Sequence, residues 1–235
     1  MLKLIPNKKP NQQILQKITK LLADYPELSL GERKAVERAL VVTKKGLTLK
    51  INEKYLHWHP GLLHTLREAG ESHPWVVLGE IKKGDHILDC TLGLGTDARF
   101  LSEITQEQVI GLENNLGIFL LTQEGLSQVE ANVTVYYTEC LTFLKEQDSN
   151  SFDIVIADPM FPKHLLKPSH GLDLVRYLAT ASPLDHHWLT EAKRVARRRV
   201  LMKDHRDNDL LERLNADQIW SKGKRHTRYG SWVCC

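Results

Sequence analysis

Four acids carry the first chemical signal in the chain: Asp89, Glu113, Glu139 and Asp158. Each lies at or just beyond the end of a short apolar run with strand character. The runs are His86-Ile87-Leu88-Asp89, Val109-Ile110-Gly111-Leu112-Glu113, Val133-Thr134-Val135-Tyr136-Tyr137 leading to Glu139-Cys140, and Phe152-Asp153-Ile154-Val155-Ile156-Ala157-Asp158. The first continues into Cys90-Thr91-Leu92-Gly93-Leu94-Gly95-Thr96-Asp97, a glycine-rich turn that opens a helix. Strand, acid, glycine turn and helix make a cofactor cradle at the edge of an α/β sheet. Glycine alone lets the backbone turn that sharply and approach a ligand closely. Taken by itself, Gly93-x-Gly95-x-x-Ala98 also fits the dinucleotide fingerprint.

The acids separate the two cofactor classes. In an open parallel sheet the carboxyl ends of the strands form the ligand edge, so the four carboxylates gather there. A pyrophosphate over the first turn would face Asp89, and like charges at close range are costly. S-adenosylmethionine has no phosphate; its sulfonium, its α-ammonium and two ribose hydroxyls all complement carboxylates. Glu113 lies 24 residues beyond Asp89, the spacing at which an acid takes ribose hydroxyls. Asp89 and Asp97 are placed for the methionine ammonium, and Glu139-Cys140 flanks the adenine. Any one acid has a plain alternative as a helix cap or a solvated loop residue; four in register do not.

The elements that must position these groups follow from periodicity. Helices over 74–81, 96–104, 115–129 and 141–146 alternate with the four runs, which implies parallel strands covered on both faces. After Asp158 comes a loop to about residue 169 and a short helix near 172–179. Ser182-Pro183-Leu184-Asp185 reads as a capping box for a helix running to about Arg197. Arg199-Val200-Leu201-Met202-Lys203 is the fifth strand, and 216–220 with 229–233 form a terminal antiparallel hairpin. The expected fold is α/β and Rossmann-like: seven mostly parallel strands in residues 74–235, preceded by a mixed α/β appendage over residues 1–73.

In the appendage, Ile14, Leu15, Ile18, Leu21 and Leu22 share a helical face. Ser29-Leu30-Gly31-Glu32 resembles a capping box for a second helix, with Ala35, Val36, Ala39 and Leu40 inward and an end near Lys44-Lys45-Gly46. Leu47, Leu49 and Ile51 alternate as in a strand. His57-Trp58-His59, with His64 and His73 nearby, has no acid or cysteine at ligand spacing. Core packing, or a wall beside cofactor or base, is expected there, and no metal.

A chain of 235 residues holds one sizeable domain and an addition. The net charge of +3 is unevenly placed: residues 190–235 carry twelve Lys/Arg and six Asp/Glu, a local +6, leaving −3 elsewhere. A basic quarter on an acidic body suits an anionic polymer. The four cysteines form no CxxC or disulfide framework, so buried thiols are expected. Residues 1–9 lack the apolar run of a secretory leader, and nothing approaches about 18 consecutive apolar residues. A cytoplasmic protein with no membrane partner is expected.

The order of these motifs resembles the class I methyltransferases and is most similar to the RsmJ-like family of 16S ribosomal RNA guanine-N2 methyltransferases. Leu88–Asp97 resembles that family's D-A-T-A-G-L-G-R-D turn, and Asp158-Pro159-Met160-Phe161-Pro162 matches its D-P-M-F-P. Val200–Lys203 and Lys222-Gly223-Lys224-Arg225 echo its V-V-V-K and K-G-H-R. The likeness covers roughly residues 75–235. Thr96 stands where the family has arginine, and Glu139-Cys140 where it has two serines. The resemblance implies cofactor contacts at Thr96-Asp97, Glu113-Asn114, Glu139-Cys140 and Asp158, beside Asp89, Thr91, Gly93 and Gly95 of the turn. It implies as substrate a guanine amino group of small-subunit ribosomal RNA, or of the assembled subunit.

An exocyclic amine is a poor nucleophile because its lone pair is delocalised into the ring, so acceptors must orient it. Asp158 and the Pro159 carbonyl are suitable acceptors between flanking prolines, and Phe161 is suited to stack on the base. Met160, Lys163, Lys203, Lys224 and Arg225 are the expected substrate contacts, with Arg197, Arg198, Arg199, Lys222 and Arg228 completing a phosphate-binding footprint. Rival readings are a methyltransferase of DNA adenine, protein or a small molecule, a non-catalytic RNA-binding protein on the same scaffold, and a nicotinamide-dependent enzyme.

Overall fold

The computed structural model describes residues 2–7, 9–32, 37–59, 61, 63–159, 174, 175, 178, 184–221 and 226–234. Two sheets organise them. The first has the order β2-β1-β3-β4-β5, from β1 (Leu2–Pro6), β2 (Leu28–Leu30), β3 (Arg38–Thr43), β4 (Gly46–Ile51) and β5 (Lys54–His57). Helix α1 (Gln12–Asp24) connects β1 to its parallel neighbour β2; β3, β4 and β5 form an antiparallel meander. Asn11 Oδ1 caps α1 by accepting from the Ile14 amide at 3.1 Å. Ile14 and Ile18 are buried, but Leu15, expected on the same face, is exposed.

The second helix expected in the appendage is absent from the described residues it was to include: Arg38–Thr43 is strand. Ala39, Leu40, Val41 and Val42 are all buried. A strand covered on both faces reads as a continuous apolar run, which a helical pattern imitates. The expected helix stop, Lys44-Lys45-Gly46, is the turn of a hairpin, with Gly46 at φ 129°. Ala35 and Val36 lie outside the described residues.

The second sheet has the order β11-β12-β10-β9-β6-β7-β8. Its strands are β6 (Ile87–Asp89), β7 (Val109–Glu113), β8 (Val133–Tyr137), β9 (Phe152–Ala157), β10 (Ala196–His205), β11 (Gln218–Ser221) and β12 (Thr227–Val233). β6 to β10 pair in parallel, while β12 runs antiparallel between β10 and β11. This is the expected Rossmann-like arrangement of seven mostly parallel strands closed by a hairpin. Helices α2 (Leu63–Ala69), α3 (Pro74–Gly79) and α4 (Thr96–Thr105) pack with one face of this sheet through Leu63, Trp75, Leu101 and Ile156. α6 (Cys140–Glu146) and α7 (His186–Val195) cover the other face. α5 (Leu116–Gln128) is buried along its length because the first sheet packs against it, joining Leu49 and Leu56 to Phe119 and Leu120. A short helix α8 (Leu210–Arg213) precedes β11.

The cap of α7 is Asp185, which accepts from the amides of His187 and Trp188; Ser182 and Pro183 lie outside the described residues. Of the short helix expected near 172–179, the described Leu174, Val175 and Leu178 are helical and buried. Among the described residues, no helix is long and apolar enough to cross a membrane.

Candidate active site

Strand ends β6, β7 and β9 put Asp89, Glu113 and Asp158 along one rim of the seven-stranded sheet. Gly93 and Gly95 take φ of 54° and 77°, the left-handed conformation that favours glycine, and Gly95 begins α4. The turn is braced from below. The Glu113 carboxylate accepts from the Gly93 amide at 3.2 Å and the Asn115 amide at 2.8 Å. Thr122 of α5 donates its hydroxyl to the Gly93 carbonyl at 2.7 Å. Asp89 Oδ1 accepts from the Thr91 amide at 2.9 Å, and Thr91 Oγ1 accepts from the Asp158 amide at 2.6 Å. Strands β6 and β9 are thus tied together just beyond their ends.

A carboxylate–ammonium–carboxylate bridge spans the rim. Lys203 Nζ lies 2.8 Å from Asp97 Oδ2 and 2.6 Å from Asp158 Oδ2. The rings of Trp75 and Tyr229 flank it at 5.4 and 5.8 Å. Burial opposes the Lys203 charge, but Asp158 and Asp97 outweigh it and hold the ammonium's pKa well above its usual value. For Asp97, burial is outweighed by Lys203, and the carboxyl is held below its usual range. Burial and the nearby Asp97 push Asp158 above its usual range against the pull of Lys203, although 35% of its side chain reaches the open cleft.

Among the described residues neither Asp89 nor Glu113 has an ion pair, although the Lys203 charge acts on Asp89 at longer range. Burial pushes each up to about 7, against the backbone N–H groups that they accept. His73 is buried edge-on against Phe100 and Tyr229, with ring centroids at 5.2 and 5.9 Å, and burial lowers its pKa to about 4.

Several expected site residues are therefore together: Asp89, Thr91, Gly93, Gly95, Asp97, Glu113 and Asp158, with Thr96 and Asn114 adjacent in the chain. Lys203, expected against RNA, is instead a buried counter-ion within β10, which continues to His205. Glu139 caps α6 by accepting from the Thr142 amide at 2.8 Å. The Cys140 side chain points into the core and accepts the Trp188 indole N–H at 3.1 Å, so it does not flank the rim. Met160, Phe161, Lys163, Lys222, Lys224 and Arg225 lie outside the described residues, and Pro159 is the last described residue before the first of them.

The expected phosphate footprint is also redistributed. Arg197 pairs with Asp153 at 3.2 Å, Arg198 with buried Asp85 at 2.6 Å, Arg199 with Glu80, and Arg228 with Asp204 and Glu212. Arg197, Arg198 and Arg199 open β10 at the end of the sheet opposite Asp158.

Trp58 is a contributor whose partners lie far away in the chain. Its indole N–H donates to the Leu94 carbonyl at 3.0 Å, and its ring lies on Gly125 of α5 so closely that a Cβ there would fall 2.1 Å from it. The other histidines of the 57–73 stretch do not gather: His57 meets Thr48 at 3.1 Å and exposed His64 meets Glu68 at 3.5 Å.

The strand order, the glycine turn and the acid-lined rim define the class I methyltransferase architecture. Residues 25–231 match the SAM_MT family, described as "Putative SAM-dependent methyltransferase". The chain belongs to this family, and S-adenosylmethionine is its cofactor. The chain is 34% identical over 189 residues, 73% of each chain, to YpiP of Bacillus subtilis, a protein described as uncharacterized. Its fold is shared with the SAM-dependent methyltransferase NGO1261 of Neisseria gonorrhoeae at a TM-score of 0.73 and 14% identity, over 98% of this chain and 95% of that one. It is also shared with the 16S rRNA N2 G1207 methyltransferase RsmC of T. thermophilus, solved with AdoMet and guanosine, at a TM-score of 0.51 and 18% identity, over 74% of this chain and 43% of that one.

Proposed function

We propose that this methyltransferase acts on the N2 amino group of a guanine in small-subunit ribosomal RNA. The observation that carries the proposal is the fixed position of Asp158 at the rim. Its amide is tied to Thr91 and its carboxylate to Lys203, immediately before the Pro159-Met160-Phe161-Pro162 segment. An acceptor locked at both backbone and side chain suits an amine that needs orientation more than deprotonation. The RsmC likeness supports the substrate class, because that fold accommodates guanosine beside AdoMet.

The residues present fit the cofactor. Two carboxyls raised by burial to about 7 lie beside a glycine turn that leaves room over the backbone. Asp89 and Asp97 hold the ammonium end, Glu113 and Asn114 the ribose, and Thr91, Gly93, Gly95 and Thr96 the backbone cradle, with Glu139 at the adenine side. When bound, S-adenosylmethionine supplies an activated methyl on its sulfonium. Asp158 and the Pro159 carbonyl accept the amine hydrogens and turn the nitrogen lone pair toward the rim. Asp158, its pKa already raised, receives the proton that the amine releases. Met160 and Phe161 contact the base plane, and Lys163, Lys224 and Arg225 the surrounding phosphates.

The test compares modified nucleosides of ribosomal RNA from cells with and without the gene, then assays Asp158→Ala on the unmodified RNA. Loss of N2-methylguanosine, and transfer by Asp158→Ala reduced by about 100-fold or more with cofactor affinity changed less than tenfold, is expected. An unchanged nucleoside profile refutes the substrate; unchanged transfer removes Asp158 from the mechanism.

A further inference from the structure

The charge of the chain divides into three blocks. Residues 1–60 contain twelve Lys/Arg and five Asp/Glu, a net of +7; residues 61–189 contain eight against eighteen, a net of −10. The C-terminal block, 190–235, is basic by sequence, but Arg194, Arg197, Arg198, Arg199, Lys203 and Arg228 all pair with acids. Those six are half of the block's twelve cations, and they are engaged within the protein itself. In the N-terminal unit the opposite holds. Lys9, Lys20, Lys44, Lys45 and Lys54 are exposed and have no ion-pair partner among the described residues.

Two of these lysines share one turn, and a third lies two residues beyond a neighbour of that turn. Lys44 and Lys45 form the turn between β3 and β4, and Lys9 follows Asn7, whose amide donates to the Val42 carbonyl at 3.0 Å beside that turn. The turn borders a cleft of about 420 Å³ between the first sheet and α5 that also includes Asn7, His57 and Trp58. The cleft's one carboxylate, Glu124, is already held by Lys17 and by the Leu47 amide at 2.6 Å. Position is fixed as well as charge. Gln128 of α5 donates to the Lys45 carbonyl at 3.3 Å, and Trp58, from the same cleft, holds the cofactor turn at Leu94.

We propose that this end of the N-terminal sheet, centred on Lys9, Lys44 and Lys45, is the surface that grips the phosphate backbone of the RNA substrate. The inference rests on the RNA reading above and moves the grip from the C-terminal quarter to the first 60 residues. Exposed lysines on a unit docked beside the cofactor turn supply sequence-independent affinity and register, while the rim selects the base.

The test measures binding of the full chain to fragmented, unmodified small-subunit RNA as salt is varied. Wild type is compared with Lys9→Glu/Lys44→Glu/Lys45→Glu and with Arg197→Gln/Arg199→Gln. Each phosphate contact contributes a slope of about −0.7 to −0.9 in log K against log salt. The triple variant is expected to have a slope shallower by about two to three and an affinity lower by about 100-fold at 0.1 M salt, with unchanged cofactor affinity and melting midpoint. The arginine variant is expected to bind as wild type. A triple variant that matches wild type overturns the placement while the RNA reading stands, as does loss of binding in the arginine variant alone. Wild type that binds no RNA overturns both, and wild type that binds anionic lipid vesicles but not RNA reassigns the surface to a membrane.

Discussion

Cofactor affinity should fall steeply as pH drops below 7, and the size of the fall follows from the rim. Asp89 and Glu113 are both raised to about 7, so each is half ionised at that pH. At pH 5.5 a group with that pKa is about 3% ionised, a loss of about 16-fold in the charged form, equivalent to about 1.6 kcal/mol. If the bound cofactor requires Asp89 ionised at its ammonium and Glu113 ionised at its ribose hydroxyls, apparent affinity falls by the product, about 260-fold between pH 7.0 and 5.5. Asp158 is also raised, and the same titration in Asp158→Asn removes its contribution; the remaining rim groups do not blur the result. Asp97 is held ionised by Lys203, Lys203 keeps its proton, and His73, lowered to about 4, stays neutral throughout. The interval also lies below the range in which the ligand's own α-amine titrates, about 7.7 to 8.0. Isothermal titration calorimetry in buffers of different ionisation enthalpy gives both the affinity and the protons released. Near pH 7 about one proton should be released in total, half from each group. In Asp89→Asn the pH dependence should shrink to about 16-fold. A flat affinity over this interval with no proton release would refute the claim that both carboxyls must be ionised to hold the cofactor.

Replacing Lys203 by Met should leave Asp97 and Asp158 without their shared ammonium and cost about 3–5 kcal/mol in urea unfolding, with methyl transfer lost. A variant as stable as wild type would show that the bridge is not an energetic unit. Gly125→Ala should drive its new Cβ into the Trp58 ring and cost about 1–3 kcal/mol with weakened cofactor binding. In a Trp58→Ala background the same change should cost almost nothing. Equal costs in both backgrounds would mean that Trp58 does not clamp α5.

The seven-stranded sheet could be read in advance because its strands are short, apolar and bounded by glycine or acids, with helices of clear period between them. The N-terminal sheet was partly hidden. Arg38–Thr43 is apolar on both faces and lost the alternation that marks a strand, and Leu2–Pro6 ends in a proline, which demotes a strand reading. At the site, types and spacing located the acids but not their partners. Nothing local links Lys203 to Asp97, 106 residues earlier, or Trp58 to Leu94, 36 residues later. Such pairings are set by the winding of the sheet. The arginines of β10 misled for a related reason: a count of charges does not say which are already paired inside the fold.

Pairing also narrows what the four-acid rim means. Glu139 is committed to the amide of Thr142, and Asp97 and Asp158 share Lys203. Two carboxyls remain uncompensated, Asp89 under the turn and Glu113 at the next strand, and these are the two whose pKa burial lifts to about 7. Of the four strand-end acids, the two with no ion-pair or capping role among the described residues are therefore Asp89, at the ammonium end, and Glu113, at the ribose. Lys203 lets Asp97 and Asp158 stand together at a buried rim with one ammonium between them, where each uncompensated charge would cost several kcal/mol. Asp158 is thereby free to act as a positioned acceptor rather than as part of the cation site, and the two tasks of a methyltransferase, holding a cation and orienting a neutral amine, fall to separate carboxylates a strand apart.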